Sequence, residues 1–591
     1  MGENSHTPSK DATKMPAEEE SGNAVLRKFS PEELEQILSE HEKWLESGEG
    51  LAADLSFSNL EGANLTRRRL DYANLQGCVL EHAYLCDASL QGTDLRQANL
   101  KQARMTGSSL KDARLQNAEF LGNEFAGSNL TGAKLSEENP IYKPLAAVEE
   151  VSKNARGTFF VFLIACAYCW LTIATTMDVK LITDSASSRL PVIGTDIPIV
   201  SFYFAAPLVL MVVYVYLHFY LHHLWKALAL LPAKFPDGRN LDEQAYPWLV
   251  NAVVRRHYKI LRQQKSLLAR IEEFGTIILT WWLGPITLIA FWARYLPRHD
   301  WAGTGLHIFF LIASVSLAMI FYRSAASTIK PDLPEGEHSG NFGDPGNLRF
   351  AAAISLTGAL FILLSYGAIN GIRSNKILSA DLKVMVPKFF DVLGYDVFAD
   401  LRETDVSSKP PDYWRIKDKD DRINSVKGAY LKNKDLRYAD MFRAFLPKSI
   451  LRNANLKGAR LRKANLQIAD IRGAQLQKSD LRAANLKGAD LREAKLMKAV
   501  LAEAQLQNAN LGLAFLQGAD LNRAGFRNTD FRCTNLVGVK NLNVDSLAEA
   551  KTLYKAKMDT GIYNQILKRW PHLLEKPREH WTEPNLIQKC Q

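Results

Sequence analysis

Two long stretches of this chain place a large apolar residue at every fifth position, a period that suits neither an α-helix nor a flat strand. The first runs Leu55, Leu60, Leu65, Leu70, Leu75, Leu80, Leu85, Leu90, Leu95, Leu100, Met105, Leu110, Leu115, Phe120, Phe125, Leu130 and Leu135. The second runs from Leu431, Leu436, Met441, Leu446 and Leu451 through Leu456, Leu466, Leu476, Leu486 and Leu496 to Phe526, Phe531 and Leu536. Two positions earlier stands a small residue, as at Ala53, Ala63, Ala73, Cys78, Ala83, Ala454, Ala464, Ala474 and Ser479. Arg68, Asn123 and Lys434 depart from this rule. The position between is often Asp or Asn, as at Asp54, Asn59, Asn64 and Asn74.

A period of five requires the chain to turn once per repeat. If each pentapeptide forms one side of a square coil, about four of them return the chain to its start, one strand spacing higher. Backbone groups then pair with the coils above and below. The large residue fills the axis, the small one fits beside it, and the remaining three positions face solvent and vary. At about 4.8 Å per coil, the two stretches make rods of roughly 20 and 26 Å. Each buried leucine contributes about 1.5–3 kcal/mol relative to exposure, so either rod can support its own core. Leu55, Leu65, Leu75, Leu85, Leu95, Leu456, Leu466, Leu476, Leu486 and Leu496 are the expected axial residues. Ala63, Ala73, Ala83, Ala454, Ala464 and Ala474 are the expected small positions.

The pattern A-[DN]-L-x-x, clearest in ANLKGARLRKANLQIADIRGAQL (454–476) and ANLKGADLREAKL (484–496), resembles the pentapeptide-repeat family. The resemblance covers about a third of the chain and implies right-handed quadrilateral β-helices. It says little about function, since one fold hosts unrelated roles. Soluble relatives that inhibit DNA topoisomerases mimic DNA with a negative surface. Here residues 51–136 carry nine Lys/Arg against nine Asp/Glu, and residues 427–540 carry twenty-two against nine. DNA mimicry is therefore a poor reading. The second segment alone accounts for the whole chain's net charge of +10, and such a field favours acidic partners or anionic lipid.

Between the repeats lie five apolar runs near bilayer length: 158–177, 197–221, 274–293, 306–322 and 350–371. They point to an α-helical transmembrane region over 153–373 with four or five spans, interrupted by a basic helical loop at 222–273. That loop contains Lys226, Lys234, Arg239, Arg255, Arg256, Lys259, Arg262, Lys265 and Arg270, whereas 178–196 and 294–305 carry two basic residues each. The excess of Lys/Arg marks the cytoplasmic side, which places the N-terminal repeats in the cytoplasm, at a bacterial inner membrane given the resemblance. Five crossings would put the second repeats outside. Yet Arg373, Lys376, Lys383 and Lys388 follow the last run, and on that flank the expectation leans towards both segments being cytoplasmic. Residues 243–272 read as a basic amphipathic helix that lies either on lipid or on a repeat domain.

Solenoid ends need covers. Ser30-Pro31-Glu32-Glu33 carries the signals of a capped helix start, so 30–50 is expected to be a capping helix after a disordered tail at 1–29. Residues 374–426 read as a linker, and 541–591 as C-terminal capping helices and tail, with helices over 546–558 and 559–570.

Nothing in the sequence reads as catalytic. There is no phosphate-binding glycine loop, nucleophile elbow or HExxH-type motif. His218 and His222 share a helical face without an evident third ligand, and the CxxC of Cys166 and Cys169 lies inside an apolar run. The six cysteines suggest no disulfide framework. No cofactor, metal or small-molecule substrate is expected, and RHDW (298–301) reads as a structured turn. The reading is a non-catalytic membrane scaffold with lipid and protein partners. Its alternatives are a transporter or channel regulated by its repeats, with Pro207, Gly284 and Pro285 kinking helices, and binding of nucleic acid or anionic lipid by the basic rod.

Overall fold

In the computed structural model the described residues are 26–136, 140–183, 187–189, 196–245, 248–262, 267–329, 345–370, 397–577 and 588–590. They fall into two compact units. One comprises Met1–Lys153, His222–Thr276 and Ala325–His338, and the other Asn154–Leu221, Ile277–Ser324 and Ser339–Gln591.

In the first unit, isolated parallel bridges join residues twenty apart, from Asp54↔Asn74 to Arg114↔Lys134. The leucine N–H donates one coil up, as Leu55 N to Asn74 O at 2.8 Å, and the return bond runs from Asn74 N to Ala53 O at 2.9 Å. Each turn is closed within the pentapeptide, as by Ala63 N to Leu60 O at 3.1 Å. This winding drives the second residue after each leucine to a left-handed φ, such as 62° at Arg67 and 65° at Gly62. Only glycine adopts that conformation without steric cost. Leu55, Leu65, Leu75, Leu85 and Leu95 are fully buried, as are Ala73 and Ala83. Ala63 is half-buried, being in the first coil, which has a neighbouring coil on one side only. Where the small residue is Ser or Thr, its hydroxyl donates to an inward carbonyl, as Ser58 Oγ to Leu55 O and Thr93 Oγ1 to Leu70 O.

The exceptional residues have particular places. Arg68 reaches out to the capping helix α1 (Pro31–Ser47) and pairs with Glu35 at 2.7 Å and Glu42 at 3.7 Å. α1 begins at Ser30 with a complete capping box and ends at left-handed Gly48. Its buried His41 accepts from Ala53 N at 3.1 Å through Nδ1, and burial lowers the imidazole's pKa, in keeping with a neutral acceptor. Asn123 lies in a 3₁₀ turn, Asn123–Phe125, that interrupts the coil. The carboxylate of Glu124 gathers the amides of Gln102, Leu121 and Gly122 there.

Among the described residues five helices are long and apolar enough to cross a membrane. They are α2 (Lys143–Thr175), α4 (Ile199–Ala229), the run of α5 (Leu267–Ile277) and α6 (Leu283–Tyr295), α7 (Trp301–Ile329) and α8 (Pro345–Asn370). A short helix, α3 (Asp178–Ile182), follows α2. α5 and α6 join through a π turn at Ile278–Trp282, where Tyr214 Oη donates to the Trp281 carbonyl at 2.8 Å. Trp170 Nε1 donates to Thr287 and Trp292 Nε1 to Ser365, tying helices together through satisfied polar groups. Cys166 and Cys169 are buried free thiols in this packing.

In the second unit the same bridges run to Asp520↔Lys540. Leu456, Leu466, Leu476, Leu486, Leu496, Ala454, Ala464 and Ala474 are all buried. Several boundaries differ from the sequence expectation. Residues 397–408 do not belong to a linker. Asp400↔Asp440 and Asp405↔Phe445 are parallel bridges, so Ala399-Asp400-Leu401 and Thr404-Asp405-Val406 form the opening sides of the ladder. An excursion holding the helix Lys419–Asn424 then intervenes before Lys427. Most of the remaining linker expectation, 374–396, and the tail expectation over 1–25 lie outside the described residues.

At the far end, 546–558 is not a helix. Val544–Glu549 is a 3₁₀ turn, and Thr552 and Lys557 continue the ladder by pairing with Asp530 and Asn535. α9 (Thr560–Arg569) and the turn Pro571–Leu574 then cover the last coil, burying Leu553, Ile566 and Leu573. Cys533 and Cys590 are brought within disulfide reach, with Cα atoms 5.6 Å apart, a proximity that the expectation of no disulfide framework did not foresee. Their separation of 57 residues leaves no spacing signature.

Candidate functional site

The places where the repeats do most beyond self-stacking are their inner ends, which connecting segments of the helical region complete. In the first unit the missing next coil is supplied by residues that follow α4. Gly127 N donates to Leu231 O, Leu130 N to Lys234 O and Gly132 N to Pro236 O, at 2.9–3.1 Å. Lys234 forms the parallel bridge to Asn129 that a residue twenty positions on would otherwise form. Ala233-Lys234-Phe235 has the small–x–large pattern of a repeat, and both Ala233 and Phe235 are fully buried. Phe235 stacks on Tyr142 with centroids 5.4 Å apart. The segment expected as one basic amphipathic helix, 243–272, is instead broken into Leu249–Val253, Val254–His257, Lys259–Arg262 and the start of α5. It packs on protein through buried Val250, Val253, Val254 and Tyr258. A Cβ at left-handed Gly127 would stand 2.6 Å from the Tyr258 ring, so glycine is required there.

In the second unit the open end of the ladder is closed by α3. Ile182 joins the buried core that continues through Leu401, Leu431 and Leu436, with Val179 packed beside it. Around this plug is a polar seam. Arg294, at the end of α6, pairs with Asp178 and donates to the Thr176 carbonyl, both groups of the pair being about a tenth exposed. Asp178 Oδ2 also accepts from Asp400 N at 2.7 Å.

The turn 298–301 is a structured one, and it has a partner that the sequence concealed. His299 takes a left-handed φ of 53°, and its Nε2 donates to Val397 O at 3.2 Å. Asp300 accepts from the amides of Ala302 and Gly303 and so starts α7. Arg298 Nη1 donates to Leu181 O at 2.6 Å. Across the seam His299 Nδ1 lies 3.8 Å from Asp435, whose neighbour Arg437 donates to Ile369 O at 2.6 Å, near the end of α8. Burial would raise the Asp435 carboxyl, but His299 and Arg437 outweigh it and hold its pKa at about 2. Beside the seam a cleft of about 630 Å³ is lined by Met177, Asp178, Arg294, Asp400, Arg402 and Glu403, among others. Its charges are paired with one another: Arg294 with Asp178, Arg402 with Asp400 at 2.6 Å, and Glu403 with Arg443 at 3.1 Å. Such a set of ion pairs fixes the geometry of the cleft.

Among the described residues no group of three or more His, Cys, Asp or Glu is placed to hold a metal. His218 is buried and stacks on Phe321 at 4.4 Å, while its Nδ1 meets the Tyr214 carbonyl. The Cys78 thiol occupies a small inward position, where burial pushes its pKa up to about 12.

The outer faces of the second ladder differ in charge. On two of them Asp and Arg alternate as pairs two residues apart, at Asp470–Arg472, Asp480–Arg482, Asp490–Arg492 and Asp530–Arg532. The face built from 444–448, 464–468, 484–488, 504–508 and 524–528 has no acidic residue along those five sides, and Asp405 in the opening side beneath them is paired with Lys409 at 2.6 Å. It presents Asn465, Gln467, Asn485, Gln505, Gln507 and Lys487, with Ile468 about half exposed.

Residues 52–80, 69–102, 103–137, 429–467, 464–502, 474–512 and 513–540 match, in eight copies, the family described as "Pentapeptide repeats". That match implies right-handed β-helical winding for the coils. Similar solved structures include a trypsin-treated variant of QnrB1, a plasmid-mediated fluoroquinolone resistance protein, at 17% identity. It covers 24% of this chain and 82% of that one, with a TM-score of 0.16. A pentapeptide repeat protein from the Arabidopsis thaliana thylakoid lumen is 25% identical over 24% of this chain and 88% of its own, with a TM-score of 0.15. HetL, from the cyanobacterium Nostoc and involved in heterocyst differentiation regulation, is 28% identical over 27% and 78%, with a TM-score of 0.10. No curated protein matches the chain.

Proposed function

In its repeat segments this chain is a pentapeptide-repeat protein, and from that premise we propose that it is a non-catalytic scaffold anchored in a membrane by five helices. Its two β-helical rods present flat faces to protein partners. The observation that carries this reading is the construction of the inner ends. Ala233-Lys234-Phe235 completes one ladder and Ile182 plugs the other, so each ladder is fused to connecting segments of the helical region. A rod held in this way meets a partner with little orientational freedom left to lose. The paired charges at the seam support a structural joint in preference to a reaction centre.

The acid-free face around Asn485 and Ile468 is the partner surface we favour on the second rod. It combines amides, a half-exposed isoleucine and no carboxylate to repel an acidic protein. Photo-crosslinkers at 467 and 487 in membranes should capture one dominant protein, and Ile468→Glu with Lys487→Glu should abolish that capture while the rod stays folded. Capture that survives those substitutions, or an equal yield from the Asp–Arg faces, would remove the support for this surface.

A further inference from the structure

We propose that the second repeat rod stands on the non-cytoplasmic face of the membrane, where Cys533 and Cys590 are oxidised and staple the C-terminal end to the rod. Two independent observations lead there. The first is which loops the rod sits on. Its opening coil meets α3 and the turn 296–300: Asp400 N reaches Asp178, His299 reaches Val397 O and Asp435, and Ile182 enters the rod's core. Those contacts belong to the loops 178–196 and 294–305, which hold two Lys/Arg each, against nine in the connection at 222–273. Short loops poor in Lys/Arg are those that translocate. Arg437 also donates to Ile369 O, which brings the end of α8 to the same face.

Arg373, Lys376, Lys383 and Lys388 argued from sequence for the cytoplasm. They lead into a domain of more than two hundred residues, and long domains translocate largely regardless of their charge. The seam contacts therefore outweigh that flank.

The second observation is redox chemistry. The four free cysteines, Cys78, Cys86, Cys166 and Cys169, are all buried. The remaining two, on the last coils of the rod and near the chain's end, lie within bonding reach, with Cα atoms 5.6 Å apart. Disulfides persist in oxidising compartments and are rare in the cytosol. Oxidation breaks two S–H bonds and forms one S–S bond. The two electrons and, by way of solvent, the two protons pass to a disulfide-bearing oxidant, which leaves as its dithiol. Cys590 is held in place by its neighbour as well: Lys589 pairs with Glu493, on the same face of the rod as Cys533, and Lys555 Nζ approaches the Cys590 carbonyl at 3.5 Å.

This inference does not depend on the scaffold reading. It decides which compartment supplies the second rod's ligands, whatever they are. The test uses the full chain in intact cells and a membrane-impermeant maleimide. In the unaltered protein neither Cys533 nor Cys590 should react until a reductant is added, after which two mass tags should appear. In Cys533→Ser the freed Cys590 should react from outside, to the same extent with or without permeabilisation. Lys487→Cys, made with the native pair intact, reports the same side if the serine variant does not accumulate. Alkylation of either reporter only after permeabilisation, or a wild-type pair that reacts without reductant, would overturn the proposal.

Discussion

The two repeat segments follow one rule and are completed in different ways. The first is electrically balanced, contains a 3₁₀ interruption at Asn123–Phe125, and borrows its closing side from Ala233-Lys234-Phe235, about a hundred residues downstream. The second is uninterrupted from Leu431, opens with Ala399–Val406 before an excursion, and is plugged by an isoleucine from α3. A coil therefore needs a pentapeptide of the right pattern at the right height, and contiguity in the chain is not required. Their charge differs in kind too. The second segment's excess of Lys/Arg is spread over faces where most aspartates are already engaged by an arginine two residues on, whereas in the first only Asp94–Arg96 has that arrangement.

The sharpest way to break this comparison is to charge the two plugs. Phe235→Asp and Ile182→Asp each bury an unpartnered carboxylate in an apolar coil end, at a cost of several kcal/mol. Because solenoid coils depend on nearest neighbours, each effect should stay local. Hydrogen exchange should accelerate at Leu130 and Gly132 in the first variant, and at Leu401 and Val406 in the second. Exchange spreading evenly through either ladder would show that the ends are not separable elements.

Next in size is the seam, which has no equivalent in the first segment. Arg294→Ala leaves Asp178 nearly buried without its guanidinium, a change that costs about 3–5 kcal/mol for such a pair. Combining it with Asp178→Ala should recover much of the loss. Thermal unfolding of the purified protein, followed by proteolysis at the 397–408 strand, measures both. If the double variant is no more stable than the single one, the charge pair is not what holds the seam.

Sequence exposed the period because every axial residue obeys it, and Leu55 through Leu135 needed no tertiary information. It also exposed α1, whose cap is written in four consecutive residues. What it hid has one physical cause: completion by segments that are short and distant. Ala233-Lys234-Phe235 and Ala399-Asp400-Leu401 carry the small–x–large signature, but one isolated copy is indistinguishable from chance until neighbours on both sides define the register. The seam was hidden for a related reason. Arg298, His299 and Asp300 announce a turn, while Asp435 and Val397 lie about a hundred residues or more away, with nothing local to link them. The helix expected over 243–272 fails because the buried side chains of Val250, Val253, Val254 and Tyr258 answer to a surface the sequence does not display.

Acid should separate the segments more gently. Asp435 titrates at about 2, below its ordinary value of about 4. A depressed carboxyl contributes stability above its unfolded pKa and loses it as pH falls through the folded one. The seam should therefore stay closed down to about pH 4 and loosen between there and about pH 2. Pepsin digestion across that window should release fragments near 397–440 in the native protein, while Asp435→Asn should be more susceptible at pH 4 and show a shallower change below it. A native digestion pattern flat over the whole window would remove Asp435 from the joint.

The smallest expected effect tests the one basic exception in the first ladder. Arg68 occupies a position that nearly everywhere else holds a small residue, and its Nη2 donates to both carboxylate oxygens of Glu35 while the side chain remains about a third exposed. Exposed pairs of this kind contribute about 1 kcal/mol or less. Arg68→Ala restores the small residue that the coil geometry favours and removes the bridge to α1, so the two changes oppose each other. Stability of the first unit should fall by at most about 1 kcal/mol in dilute buffer, with the difference vanishing near 1 M salt, where the screening length is about 3 Å. A loss that persists in high salt would assign Arg68's role to its methylene stem packed on the first coil, and the exception would then be a feature of the core and not of the cap.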